Sequence, residues 1–231
     1  MIVLVILVVS AALIVGAVWG IFGPLPERVE GFLLAMAGGA LIVTLMLDMI
    51  KPSISQASLV SAMFFVALGA VVFTAVDYLI DEKWEAGRGG GLLVAITLDG
   101  IPENLALGVA LIGADFSEVA ALAGAIFLAN LPEAAGGAKQ MCRSGLSRRT
   151  VFWLWAATAG ILASAALVGE WAFAGVAPET IALTRCFAAG AVVASLATEV
   201  FPRAFNENHH LSGVAVAVGL ILATLLHALS A

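Results

Sequence analysis

Apolar residues run along this chain in stretches of about 20, long enough to cross roughly 30 Å of hydrocarbon, and short polar breaks separate them. The stretches fall at about 2–22, 29–50, 58–80, 91–113, 117–138, 150–171, 180–201 and 211–230. They predict an all-α polytopic membrane protein with eight transmembrane helices and almost no chain left over. The first, "MIVLVILVVSAALIVGAVWG", has no basic n-region. It is also longer than the roughly 7–15-residue core of a signal peptide, so it is expected to stay as a span.

Composition agrees: 62% of residues are apolar and 11% charged, where a soluble domain carries about 25% charged residues. The net charge of −6 says little about surface partners, because several acids lie inside spans. The expected surroundings are a lipid bilayer, with no nucleic-acid partner.

Basic residues set the expected orientation. With eight spans and the N-terminus outside, Arg28, Lys83, Arg88, Lys139, Arg143, Arg148, Arg149 and Arg203 face the cytoplasm. Lys51 and Arg185 are left for the outside. That asymmetry follows the positive-inside rule and puts both termini outside, in a protein of the cell (plasma or inner) membrane. Cys142 and Cys186 fall on opposite sides, too far apart for a disulfide.

Two segments 151 residues apart match. "AGGALIVTLMLD" (37–48) in the second span lies over "AAGAVVASLATE" (188–199) in the seventh. Asp48 aligns with Glu199, and each segment then reaches a proline, Pro52 or Pro202, with the spacing slipped by one residue. The second and seventh spans run in opposite directions, so the repeat is inverted, as in many secondary transporters. The expected layout is 3+2+3 within a single domain, 1–231. Repeat one covers about 1–80, a central pair about 91–138 and repeat two about 150–231.

The central pair carries the chemistry. "DGIPEN" (99–104) and "ANLPEA" (129–134) both hold Pro-Glu, displaced by 30 residues, on neighbouring spans. Asp99 and Glu103 are four apart and Asn130 and Glu133 three apart, so each couple shares a helix face. Each proline lacks an amide donor and crowds the carbonyl four residues earlier, here Leu98 and Leu128. Such oxygens are tolerated at membrane depth when they line a cavity. Repulsion and desolvation oppose charged carboxylates crowded together in a low dielectric, so Asp99, Glu103 and Glu133 call for a cation, protons or an exchange of the two. Intramembrane acids mark function by default. Asp48 and Glu199, near span ends, are expected to be solvated or to line an ion path. Asp77 and His227 read as interface or packing residues, and the loop pair His209-His210 as a weak candidate for handing metal along.

"DGIPENLALGVAL" resembles the fourth helix of the ZIP (zinc- and iron-regulated transporter-like) family, whose pattern is His-Asn-x-Pro-Glu-Gly followed by an apolar Leu-Ala-x-Gly run. "NLPEA" is similar to the family's fifth-helix motif in its Pro-Glu part, and "ATEVFPRA" to its seventh-helix Glu-x-x-Pro. The resemblance implies transport of divalent metal toward the cytoplasm, through a site between the fourth and fifth helices. Asp99 then stands in place of the fourth-helix histidine, Glu103 and Glu133 match the metal-bridging acids, and Asn130 matches a polar ligand position. Gly100 replaces the family's Asn, Asn104 its Gly, and Ala129 a usual histidine. The remaining donors are all oxygens.

The expected substrate is therefore zinc, or a harder ion such as manganese or iron, with no organic cofactor and no enzymatic activity. Oligomeric state is open, a homodimer among the options. Two other classes compete: a degenerate relative that binds metal without moving it, and an intramembrane hydrolase with paired carboxylates. The second lacks a Gly-x-Gly-Asp stretch. A single cysteine near Arg148 is expected to react with an impermeant thiol reagent only from the cytoplasm, and one near Lys51 only from outside. Labelling of both from one side would overturn the orientation.

Overall fold

The computed structural model describes residues 2–83, 97, 100–101, 103–105, 107–109, 111–112 and 116–230. Every regular element among them is helical. Helix α1 covers Ile2–Phe22, α2 Glu27–Thr44, α3 Lys51–Gln56 and α4 Leu59–Lys83. After scattered helical residues between 97 and 109 come α5 (Phe116–Arg143), α6 (Arg148–Phe173), α7 (Pro178–Ser195), α8 (Phe201–Asn208) and α9 (Leu211–Ser230).

Local chemistry sets the ends. Glu27 and Glu30 occupy the first turn of α2, where acids complement the helix dipole. Ser147 caps α6 by accepting the Thr150 amide at 3.1 Å, and Pro178 opens α7 at its first turn, where its missing N–H costs nothing. Gly145 and Gly175 take positive φ in the turns flanking α6.

Six helices among the described residues are long and apolar enough to cross a membrane: Val3–Phe22, Glu27–Gln56, Leu59–Leu79, Arg148–Phe173, Pro178–Asn208 and Leu211–Ala228. Three of them extend beyond the apolar stretches that the sequence suggests, Glu27–Gln56 and Pro178–Asn208 the furthest. Pro52 and Pro202 do not end their helices. Wide π turns, Leu45–Ile50 and Leu196–Val200, precede the prolines, and α3 and α8 continue from there. A π turn bonds each amide five residues back, as the Lys51 amide does to Met46, so the chain absorbs a residue that has no amide to give. Asp48 lies in the first π turn and Glu199 in the second. The first holds six residues and the second five, which is the one-residue slip between the two matching segments.

Small residues let the helices approach closely. A Cβ at Gly39 of α2 would strike the carbonyl of Val216 in α9, and one at Gly219 that of Met36. The same contact recurs elsewhere, with Gly190 of α7 against Val66 of α4 and Gly69 against Phe187. Direction comes from contacts further along: Gly31 of α2 meets Ala204 and Asn208 just before α9 while Asp48 meets His227 near its end, and beyond the knuckle Phe73 of α4 packs with Ala191 and Ala194 of α7, so both pairs run parallel. Between α1 and α5 the order is parallel too, Gly16 facing Leu131 and Gly20 facing Ala135. Each is backbone-to-backbone packing of the kind seen between membrane helices. The central core draws Val9, Met49, Leu107, Ile126, Ala189 and their neighbours from most of these helices. A second core joins α1, α5 and α6 around Trp155 and Leu13.

A side chain at a knuckle must push two backbones apart, at a cost of about 1–3 kcal/mol or more. Gly190→Val is expected to lower the thermal midpoint of the detergent-purified protein clearly. Gly160→Ala, with open space around its Cβ position, is expected to be neutral or to stabilise by up to about 1 kcal/mol. Equal midpoints for the two variants would refute the packing.

Candidate functional site

Helix α5 is continuous through Pro132, so this proline does not break the helix. Pro132 has no amide hydrogen, and the Leu128 carbonyl therefore has no bond from the residue four ahead. One turn of α5 carries Asn130 and Glu133. Asn130 is 2% exposed, and its side-chain amide nitrogen has no hydrogen-bond partner. Glu103, in the 97–109 segment, also has a buried carboxylate oxygen without a partner. Glu103 and Glu133 lie within electrostatic reach of each other. Glu133 in turn feels Glu199 from the second π turn and Arg203 from α8.

The sequence-based expectations meet here in part. Glu103 and Glu133 come within electrostatic reach of each other, and Asn130 lies three residues before Glu133 on α5. Asp99 and Pro102 lie outside the described residues, as does Leu98. Among the described residues no three His, Cys, Asp or Glu side chains form a group able to hold a metal. Asn104 turns away from the pair: its amide donates to the Gly100 carbonyl at 2.9 Å, so this buried residue satisfies its own helix.

Asp48 is held more firmly than a solvated span end would be. Its carboxylate lies 2.9 Å from His227 Nδ1 and is 10% exposed, tying the first π turn to α9. His227 is thus an interhelical partner. His209 and His210 stand exposed in the turn before α9, where His209 takes a φ of 47°.

The feature that sequence reasoning missed lies one turn beyond Glu133. Glu30 of α2, with a side chain only 5% exposed, receives the guanidinium of Arg203 and, at 3.5 Å, the ammonium of Lys139. Lys139 also donates to the Leu25 carbonyl at 2.7 Å, and Arg203 Nε donates to Glu207 at 3.2 Å. Arg143 and Glu27 pair at 3.3 Å on the rim, both 66% exposed, so that pair contributes little. The charges border a cavity of about 320 Å³ lined by Glu27, Glu30, Lys139, Arg143, Arg203 and Glu207. Gly136 makes this possible, since a Cβ there would strike both Glu30 and Arg203. The available signal was the pair of acids opening α2 opposite the basic end of α5, which hydropathy alone reads as solvated loop charge.

The basic residues collect at this end of the bundle. Arg148 stacks over Phe22 at 5.4 Å, which brings the start of α6 to the end of α1. Arg185 is instead bonded to the Val109 carbonyl at 3.1 Å, at the far end of the 97–109 segment. Comparisons with protein-family models and with curated proteins find no match for this chain.

Removing one member of a buried ionic network leaves the others uncompensated, typically at about 3–5 kcal/mol. Glu30→Ala is therefore expected to destabilise the protein strongly, and Glu27→Ala on the rim by less than about 1 kcal/mol. Equal losses in thermal unfolding would show that burial does not distinguish the two pairs.

Proposed function

We propose that this chain is a divalent-cation transporter whose substrate passes between the 97–109 segment and α5, coordinated by Glu103, Glu133, Asn130 and Asp99. The observation that carries this reading is the Glu103–Glu133 pair, buried within electrostatic reach of each other, with an unpartnered Asn130 amide three residues from Glu133. Two carboxylates carry the charge that one divalent cation neutralises. The Glu30–Glu207–Lys139–Arg203 network is balanced by itself, two acids against two bases.

The proposal includes eight spans arranged as a 3+2+3 inverted repeat. It is supported by the matching π turns at Asp48 and Glu199 and by the matching glycine knuckles, α2 on α9 and α7 on α4. The clustering of Arg143, Arg148 and Arg203 with Lys139 supports a cytoplasmic assignment for that end. The ZIP-like motifs in "DGIPEN" and "NLPEA" point the same way, toward metal moving inward. Carboxylate and amide oxygens suit manganese and iron as well as zinc, so discrimination among these is expected to be weak.

Flux of Mn²⁺ and Zn²⁺ into proteoliposomes tests the reading. Wild type is expected to transport both, and Glu103→Ala or Glu133→Ala to abolish transport while leaving inserted, folded protein. Normal flux in both variants would place the path elsewhere, and metal binding without flux would favour a non-transporting protein. Asp99→His adds an imidazole and is expected to shift the flux ratio toward Zn²⁺. An unchanged ratio would remove Asp99 from the ligand set.

A further inference from the structure

The ionic network at the arginine-rich end is not a remote staple. Gly136, the notch that admits it, is three residues after Glu133 on α5, or about 4.5 Å along the helix axis. Arg203 lies in that notch against bare backbone, bound to Glu30 on one side and to Glu207 on the other. It also interacts electrostatically with Glu133. A guanidinium keeps its charge under all ordinary conditions, so a fixed positive charge on α8 lies between the paired carboxylates and the cavity at the arginine-rich end.

We propose that Arg203 is a tethered cation beside the transport site: held by Glu30 and Glu207, it keeps a fixed positive charge near Glu133 that opposes metal bound there. This rests on the carboxylate-site reading above and adds a residue that reading does not use. The network holds that charge in place. Glu30 is shared between Arg203 and Lys139. Glu207 receives Arg203 Nε at 3.2 Å, so the guanidinium is gripped from two sides. A metal on Glu133 must work against the arginine's field, and that repulsion weakens its hold on the side where it leaves.

The test is a titration of Mn²⁺ alone into the purified full chain. Arg203→Gln is expected to bind Mn²⁺ at least about fivefold more tightly, because a nearby positive charge is gone. Glu30→Gln/Arg203→Gln removes one charge of each sign, so it spares the network an unpaired acid, and it is expected to tighten binding similarly. Arg203→Lys keeps the tethered charge and is expected to stay within about twofold of wild type. A merely structural arginine would lower thermal stability in these variants without tightening Mn²⁺ binding, and that result overturns the proposal. Glu133→Gln separates the two readings. If it leaves Mn²⁺ affinity unchanged, the carboxylate site itself is wrong. If it abolishes binding while both arginine-removing variants match wild type, only the role of Arg203 fails.

Discussion

Two carboxylates within electrostatic reach of each other inside an apolar helix bundle must be neutralised by protons or by a cation. Glu103 and Glu133 arrive from two different elements, each following a proline in the sequence. The helices around them pack through glycine, with Gly16 and Gly20 of α1 seated on the α5 backbone at Leu131 and Ala135. Gly136 continues the same bare surface and admits Glu30 and Arg203. A small residue thus sets which charges can reach α5 here.

Backbone irregularity is placed with equal economy. Each π turn carries one acid and precedes one proline. A widened turn leaves backbone groups with altered partners, a cost usually retained at sites of function. In the first, Asp48 is engaged with His227. In the second, Glu199 lies within electrostatic reach of Glu133. The two matching segments therefore share a backbone device while their acids differ in surroundings.

Hydropathy made the helical membrane class legible, because long apolar runs leave few alternatives in lipid. The Pro-Glu pairs stood out for the same reason, as charges where hydrocarbon should be. What the sequence hid was continuity. Pro52, Pro132 and Pro202 look like breaks, yet the helix runs on past all three, twice after a π turn and once straight through. The one-residue slip between the two matching segments was the visible trace of those turns. Arg203 was hidden for a different reason: a base just past an apolar run reads as a solvated loop charge, and only the folded chain brings α2, α5 and α8 together around Glu30.

The central claim is that the Glu103–Glu133 pair coordinates a divalent cation. Anomalous diffraction from crystals of the full chain grown with Mn²⁺ tests it most directly. The account predicts a manganese peak within carboxylate bonding distance of both Glu103 and Glu133. Manganese bound elsewhere in the protein, with these two carboxylates metal-free, would contradict it.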